Sequence, residues 1–294
     1  RMWRHSSSGI AAHLSPLYRS KLPGAGYTME AMTSTQQFID AHRHSTDAEL
    51  AQALVEHAGT LALRMRGEGL STEEKTSVSD VVTEADRAAE EFVAEALQAL
   101  RIDDGLLGEE GASHESTTGR TWVIDPVDGT YNFSQGSDYF CSALALTEND
   151  VPVIGAVHRP ALGTTWIAAG GKATRDGVEL GRLEEASLSS EALVTYLHPT
   201  SMEDDGVREA WLRAARGAAT VRMLGAGSVD LANVASGQFG GWLQHSVADW
   251  DWLPGKALVE AAGGRAEKVD AGGVTWCVAG SAQLVEDVKA RLLG

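Results

Sequence analysis

Apolar residues first recur at helical spacing at Leu50, Leu54, Ala58, Leu61 and Met65, behind the capping pattern Thr46-Asp47-Ala48-Glu49, with Gly67 and Gly69 as the stop. A second helical series, Ala85, Ala89, Phe92, Ala96 and Leu100, follows Thr83-Glu84-Ala85-Asp86, where Asp stands in place of the usual Glu or Gln. The period then changes. Short β-rich runs, LLGEE (106–110), TWVID (121–125), YFCSALALTE (139–148), VPVIGAVHRP (151–160) and TTWIAA (164–169), predict a mostly antiparallel sheet, with Glu148-Asn149-Asp150 as a hairpin turn. Beyond GVELGRLEEAS, near residue 180, strands and helices alternate: strand 191–197, helix 204–217, strand 220–224, helix 228–237 capped by Ser228, strand GWLQ, helix 251–264, strand VTWCVAG and a final helix from Ser281. The pattern is that of an α+β chain with an N-terminal α+β lobe over 46–180 and an alternating α/β lobe over 181–294.

Composition narrows the function. The 294 residues are 43% hydrophobic and 22% charged, as in an ordinary globular protein. No run approaches the roughly 18 apolar residues of a membrane span. A net charge of −17 argues against a nucleic-acid backbone as partner and is compatible with divalent cations. Cys141 and Cys277 lie far apart in apolar runs, so they read as buried hydrophobes in a reducing cytoplasm. Residues 1–28 carry Arg1, Arg4, Arg19 and Lys21 and no acid. That composition resembles a transit peptide, but Arg1 with Met29 and Met32 downstream favours a tag remnant or an extended reading frame. Residues 1–45 are expected to be an extension, disordered or non-native.

Candidate chemistry lies in acids at the ends of predicted elements: Glu109 and Glu110 after one strand, Asp125 and Asp128 after another, and Asp251 at a helix start. Singly, each has a plain reading as a cap or a solvated turn. Together they suit a hard cation that takes several oxygen ligands. Pro126 stiffens the 125–128 turn, and Gly129-Thr130 would open a helical turn whose free N–H groups favour an anion. The stretch differs from the D-x-D-G-T signature of the haloacid-dehalogenase phosphatases by one residue, so an aspartate nucleophile does not transfer.

D-P-V-D-G-T-Y-N-F resembles the signature of the inositol monophosphatase family of Mg²⁺-dependent phosphatases. KTSVSDVVTEADRAAE (75–90), LGEEG (107–111) and WDWLPGKALVEAAGG (250–264) match it in order and spacing, so the similarity covers roughly residues 46–294. The resemblance implies a layered α-β-α-β-α sandwich of the inositol monophosphatase/fructose-1,6-bisphosphatase type, two to three Mg²⁺ ions, a homodimer and hydrolysis by metal-activated water. Carried over, Glu109, Asp125 and the Val127 carbonyl form one metal site, and Asp125, Asp128 and Asp251 a second; Glu109 also reaches a third ion. Phosphate would rest on Gly129 and Thr130. Asp86 would pair with the Thr130 hydroxyl and, with Glu109, activate the water. Lys75 and Asp80 match an active-site loop pair.

Departures bear on the substrate. Gln244 stands where the family often has a glutamate that bonds inositol hydroxyls. Trp252, Leu253 and Pro254 replace small residues and are expected to reshape the pocket rim, with Pro254 near the first turn of its helix. In GAGSVD (225–230), Gly227 would approach the substrate by its backbone with Asp230 near by. The expected substrate is inositol 1-phosphate or a similar small polyol phosphate, with histidinol phosphate, fructose 1,6-bisphosphate and 3′-phosphoadenosine phosphates as alternatives. A non-catalytic binding protein is the alternative of another class.

Overall fold

The computed structural model describes residues 29–68, 72–74 and 81–294. Two helices open it, α1 (Met29–His42) and α2 (Asp47–Glu68). At the start of α2 the capping box closes as its sequence predicts: the Thr46 N–H donates to Glu49 Oε2 at 2.8 Å and the Glu49 N–H to Thr46 Oγ1 at 3.3 Å. The expected extension over 1–45 runs too far, because α1 joins the fold. Phe38 is buried, its ring 5.0 Å from that of Phe92 and 5.5 Å from that of His57, and residues 1–28 lie outside the described ones.

After β1 (Thr72–Glu74) and β2 (Val81–Thr83), α3 (Glu84–Leu100) packs beside α2. Eight strands follow: β3 (Gly105–Gly108), β4 (Ser113–His114), β5 (Arg120–Asp128), then, beyond the short α4 (Thr130–Ser134), β6 (Cys141–Glu148), β7 (Val151–Arg159), β8 (Thr164–Ala169), β9 (Lys172–Arg175) and β10 (Val178–Glu179). They form one sheet in the order β10-β9-β8-β7-β6-β5-β3-β4, antiparallel except where β3 runs parallel to β5. The remaining elements are β11 (Ala192–Thr195), α5 (Asp205–Ala215), β12 (Thr220–Arg222), α6 (Gly227–Ala235), β13 (Gly241–His245), α7 (Asp249–Ala261), β14 (Arg265–Ala271), β15 (Val274–Gly280) and α8 (Ala282–Leu293). A five-stranded sheet, ordered β12-β11-β13-β15-β14, holds the strands of this half.

Three cores separate the layers. Leu54, Val55 and Phe92 of α2 and α3 pack on Ile124, Leu144 and Ala156 of the large sheet. Val229, Leu231, Trp252 and Leu258 of α6 and α7 fill the space between Cys141 and Val157 of one sheet and Trp242 and Cys277 of the other. Leu284, Val285 and Val288 of α8 cover the outer face of the small sheet with Val207 and Ala210 of α5. The order is helices, sheet, helices, sheet, helices, the expected α-β-α-β-α sandwich. Both cysteines are buried and unpaired with each other. Among the described residues no helix is long and apolar enough to cross a membrane.

Candidate active site

β5 runs through the core as Trp122-Val123-Ile124 and is still buried when it reaches Asp125. There its pairing with β6 shifts: Asp125 faces Ala143 and Asp128 faces Cys141, so three steps on β5 match two on β6. In a regular strand residues three apart point to opposite faces; the extra residue turns both carboxylates to one side. Pro126 has no N–H for the ladder, and Asp125 Oδ1 accepts the Val127 N–H at 3.0 Å, closing a side-chain turn over the proline. Gly129 follows at φ 90°, where a β-carbon would come 3.0 Å from both Ala226 Cβ and the Gly225 oxygen. Only glycine passes there.

Asp251 arrives from the first turn of α7, which is held from behind by Trp252 stacked on Trp242 at 5.7 Å. Asp125, Asp128 and Asp251 each bring a carboxylate oxygen within 4.8 Å of the others. Asp125 is 1% exposed and Asp128 6%. Asp128 is also tethered: its Oδ1 accepts the Gly227 N–H at 3.1 Å, while Oδ2 accepts the Ser228 N–H and, at 3.8 Å, the Cys141 thiol. The two N–H groups are otherwise unpaired donors of the first turn of α6, so one carboxylate caps a helix and ties it to the large sheet.

The cluster is electrostatically loaded. Burial, then the negative charge of Glu109, Asp128, Asp251 and Asp86, pushes the Asp125 carboxyl well above the usual range. Burial, Asp128 and Glu109 push Asp251 up to about 8, opposed by a hydrogen bond with Asp125. Burial raises Asp128 too, against the lowering effect of its N–H donors. Among the described residues no Lys or Arg forms an ion pair with these three acids. An all-oxygen donor set with uncompensated negative charge fits a hard divalent cation.

A cavity of about 690 Å³ opens above them. Glu109, Asp128, Gly129, Thr130 and Asp251 line its floor, and Gly227, Asp230 and Gln244 line its walls. Asp86 is fully buried beneath, as are Asp125 and the Val127 side chain. The Thr130 hydroxyl donates to the Val127 carbonyl at 3.1 Å, because the turn brings a side chain back over the carbonyl three residues earlier. Gly227 lines the cavity and its N–H donates to Asp128 Oδ1. Ser228 is the second residue of α6, not its cap, which is Ala226. α7 begins at Asp249, so Pro254 sits in its second turn, and it and Trp252 are buried in the core instead of shaping the rim. Asp230 accepts the Tyr139 hydroxyl at 2.6 Å. Lys75 and Asp80 lie outside the described residues.

Sequence reasoning missed the rim, formed by Tyr131, Tyr196, His198, Met202 and Met223. It also missed the clamp made by Asn132, whose Nδ2 donates to the Leu224 carbonyl at 2.7 Å and the Tyr139 carbonyl at 3.0 Å. Asn132 was in view beside Thr130. Tyr131 lies in the same motif; the rest of the rim comes from separate segments without a motif, and the sequence carries no signal for it.

The model of the inositol monophosphatase family matches residues 44–288. The chain belongs to the inositol monophosphatase family. It is 35% identical over 233 residues to the histidinol-phosphatase of Mycobacterium tuberculosis, covering 76% of this chain and 88% of that protein. To the inositol-1-monophosphatase of Rhizobium meliloti it is 35% identical over 199 residues, 66% of this chain and 74% of that protein. The solved Thermotoga maritima IMPase superposes with a TM-score of 0.73 at 26% identity, covering 83% of this chain and 95% of that one. This inositol monophosphatase family member is a phosphomonoesterase with the fold of its relatives.

Proposed function

We propose that the protein is a Mg²⁺-dependent phosphomonoesterase that hydrolyses inositol 1-phosphate or a similar small polyol phosphate. One observation carries the metal reading: three carboxylates, two from strand β5 and one from helix α7, converge within 4.8 Å under the cavity, without a basic partner among the described residues. Asp125, Asp128, Asp251, Glu109 and the Val127 carbonyl would hold two to three Mg²⁺ ions. Bound there, Mg²⁺ supplies charge neutralisation for the phosphoryl group and lowers the pKa of the attacking water.

The chain's own residues do the rest. Gly129 and Thr130 seat the phosphoryl group on the floor. Glu109 takes the proton of the attacking water, with Asp86 reinforcing the local negative field; Lys75 belongs to the same proposed machinery. Gln244 offers both a donor and an acceptor to substrate hydroxyls, and Asp230, Gly227 and Asp128 bound the alcohol side. The free, buried cysteines support a cytoplasmic setting, and the acidic surface supports a small-molecule substrate over nucleic acid or membrane. The homodimer rests on family resemblance, and sedimentation tests it.

A second reading, histidinol phosphate, is favoured by the apolar and aromatic rim of Tyr131, Tyr196, Met202 and Met223, which suits a flat ring better than a polyol. Phosphate release from inositol 1-phosphate, histidinol phosphate, fructose 1,6-bisphosphate and phosphoadenosine phosphate, with Mg²⁺ and with EDTA, tests both. Release is expected only with Mg²⁺ and fastest from inositol 1-phosphate. Preference for histidinol phosphate would replace the substrate and keep the chemistry; no release from any would favour a binding protein.

A further inference from the structure

α3 carries two buried acids, Asp86 and Glu90, four residues apart and therefore on one face. Asp86 lies under the acidic floor. Glu90 is turned to the segment that carries Glu109. Its Oε2 accepts the Glu110 N–H and its Oε1 the Ala112 N–H, both at 2.8 Å, so the carboxylate spans the turn immediately after Glu109. The approach is close. A β-carbon at Gly108 would fall 2.4 Å from Glu90 Oε2, so only a glycine leaves the carboxylate its place.

Backbone ties on this turn include the Gly108 N–H to the Ala112 carbonyl at 2.8 Å, the Gly111 N–H to the Gly108 carbonyl at 3.4 Å and a long one from the Glu109 N–H to the Ile124 carbonyl at 3.3 Å. Glu90 is 4% exposed, and among the described residues no Lys or Arg forms an ion pair with it. A buried carboxylate held by neutral N–H donors is a costly way to fix an ordinary turn. Such a cost is offset where the turn must present a ligand accurately, since groups behind a ligand set its orientation.

We propose that Glu90 is a positioning residue for the cation site, locking the 108–112 turn so that the Glu109 carboxylate meets Asp125, Asp128 and Asp251. This rests on the metal reading above. Glu90→Gln keeps the size but offers one acceptor atom where two are used, so one N–H of the turn loses its partner. Gly108→Ala displaces the carboxylate without changing its charge.

The test is Mg²⁺ titration of the full chain by calorimetry, with melting in EDTA alongside. Both variants are expected to bind Mg²⁺ about tenfold more weakly, to need correspondingly more Mg²⁺ for half-maximal turnover, and to regain near-parental turnover at saturation. If Glu90→Gln does not fold, Gly108→Ala decides. Parental Mg²⁺ affinity in the folded variants, with or without a lowered melting temperature, overturns the positioning role. Failure of the parent protein to bind Mg²⁺ overturns the metal reading instead.

Discussion

The floor and the rim of the cavity follow opposite rules. The floor is acidic, buried and tethered: Asp125 is tied to the Val127 N–H, Asp128 to the first turn of α6, and the Glu109 turn to Glu90. The rim is apolar and open, with Tyr131, Met202 and Met223 each more than 40% exposed. The clustered aspartates of the floor stand at the ends of β5 and α7, which pack into cores on both sides. Apart from Tyr131 in the short α4, rim residues stand on connections that can change without disturbing a core. The proposed reaction chemistry and substrate choice would thus be held by different structures, one rigid and one adaptable.

The largest expected effect breaks the floor. Asp125→Asn should lower kcat/KM at least about 10³-fold, some 4 kcal/mol of transition-state stabilisation. Its melting temperature in EDTA should stay level or rise, because a buried charge repelled by four neighbours has gone. Substantial Mg²⁺-dependent turnover in this variant would remove the floor from the mechanism.

An intermediate effect sharpens the rim. Tyr196→Ala with Met223→Ala should raise KM for a ring-bearing phosphomonoester about 5–30-fold, from roughly 1–2 kcal/mol of lost apolar contact, with kcat nearly unchanged. Steady-state kinetics on inositol 1-phosphate and histidinol phosphate compares the two substrates. Equal losses for both would deny the rim a part in selection.

The smallest effect asks whether buried acids elsewhere behave differently from the floor. Burial and Glu91 raise the Glu95 carboxyl to about 7, above its ordinary 4.5. A raised acid contributes stability that is present below 4.5 and lost as pH rises through 7. Glu95→Gln should therefore melt about 2–4 °C above the parent near pH 8, allowing for solvent screening of a partly exposed pair, and converge with it near pH 5. Mg²⁺ should leave that gap unchanged. A gap that closes on adding Mg²⁺ would tie Glu95 to the cation site.

The legible features share a local cause. The capping box at Thr46, the strands TTWIAA and VTWCVAG and the stiff turn through Pro126 and Gly129 all follow from neighbours within a few residues. β14 was not legible, because RAEKVDA forms an edge strand with little apolar alternation. α1 was missed because its tie to the fold is Phe38, whose partners Phe92 and His57 belong to other helices.

The site divides in the same way. Sequence alone was enough for the acids at the ends of β5 and α7, since hydrophobic period, proline and glycine act over a few bonds. It was also enough, through family resemblance, for the phosphomonoesterase class. Tertiary structure decided that a one-residue bulge turns Asp125 and Asp128 to one side, that Asp128 meets helix donors 99 and 100 residues away, and that Glu90 braces the Glu109 turn. It decided the rim as well. Register and long-range contact depend on which surfaces pack against each other, and no local preference of the chain encodes that choice.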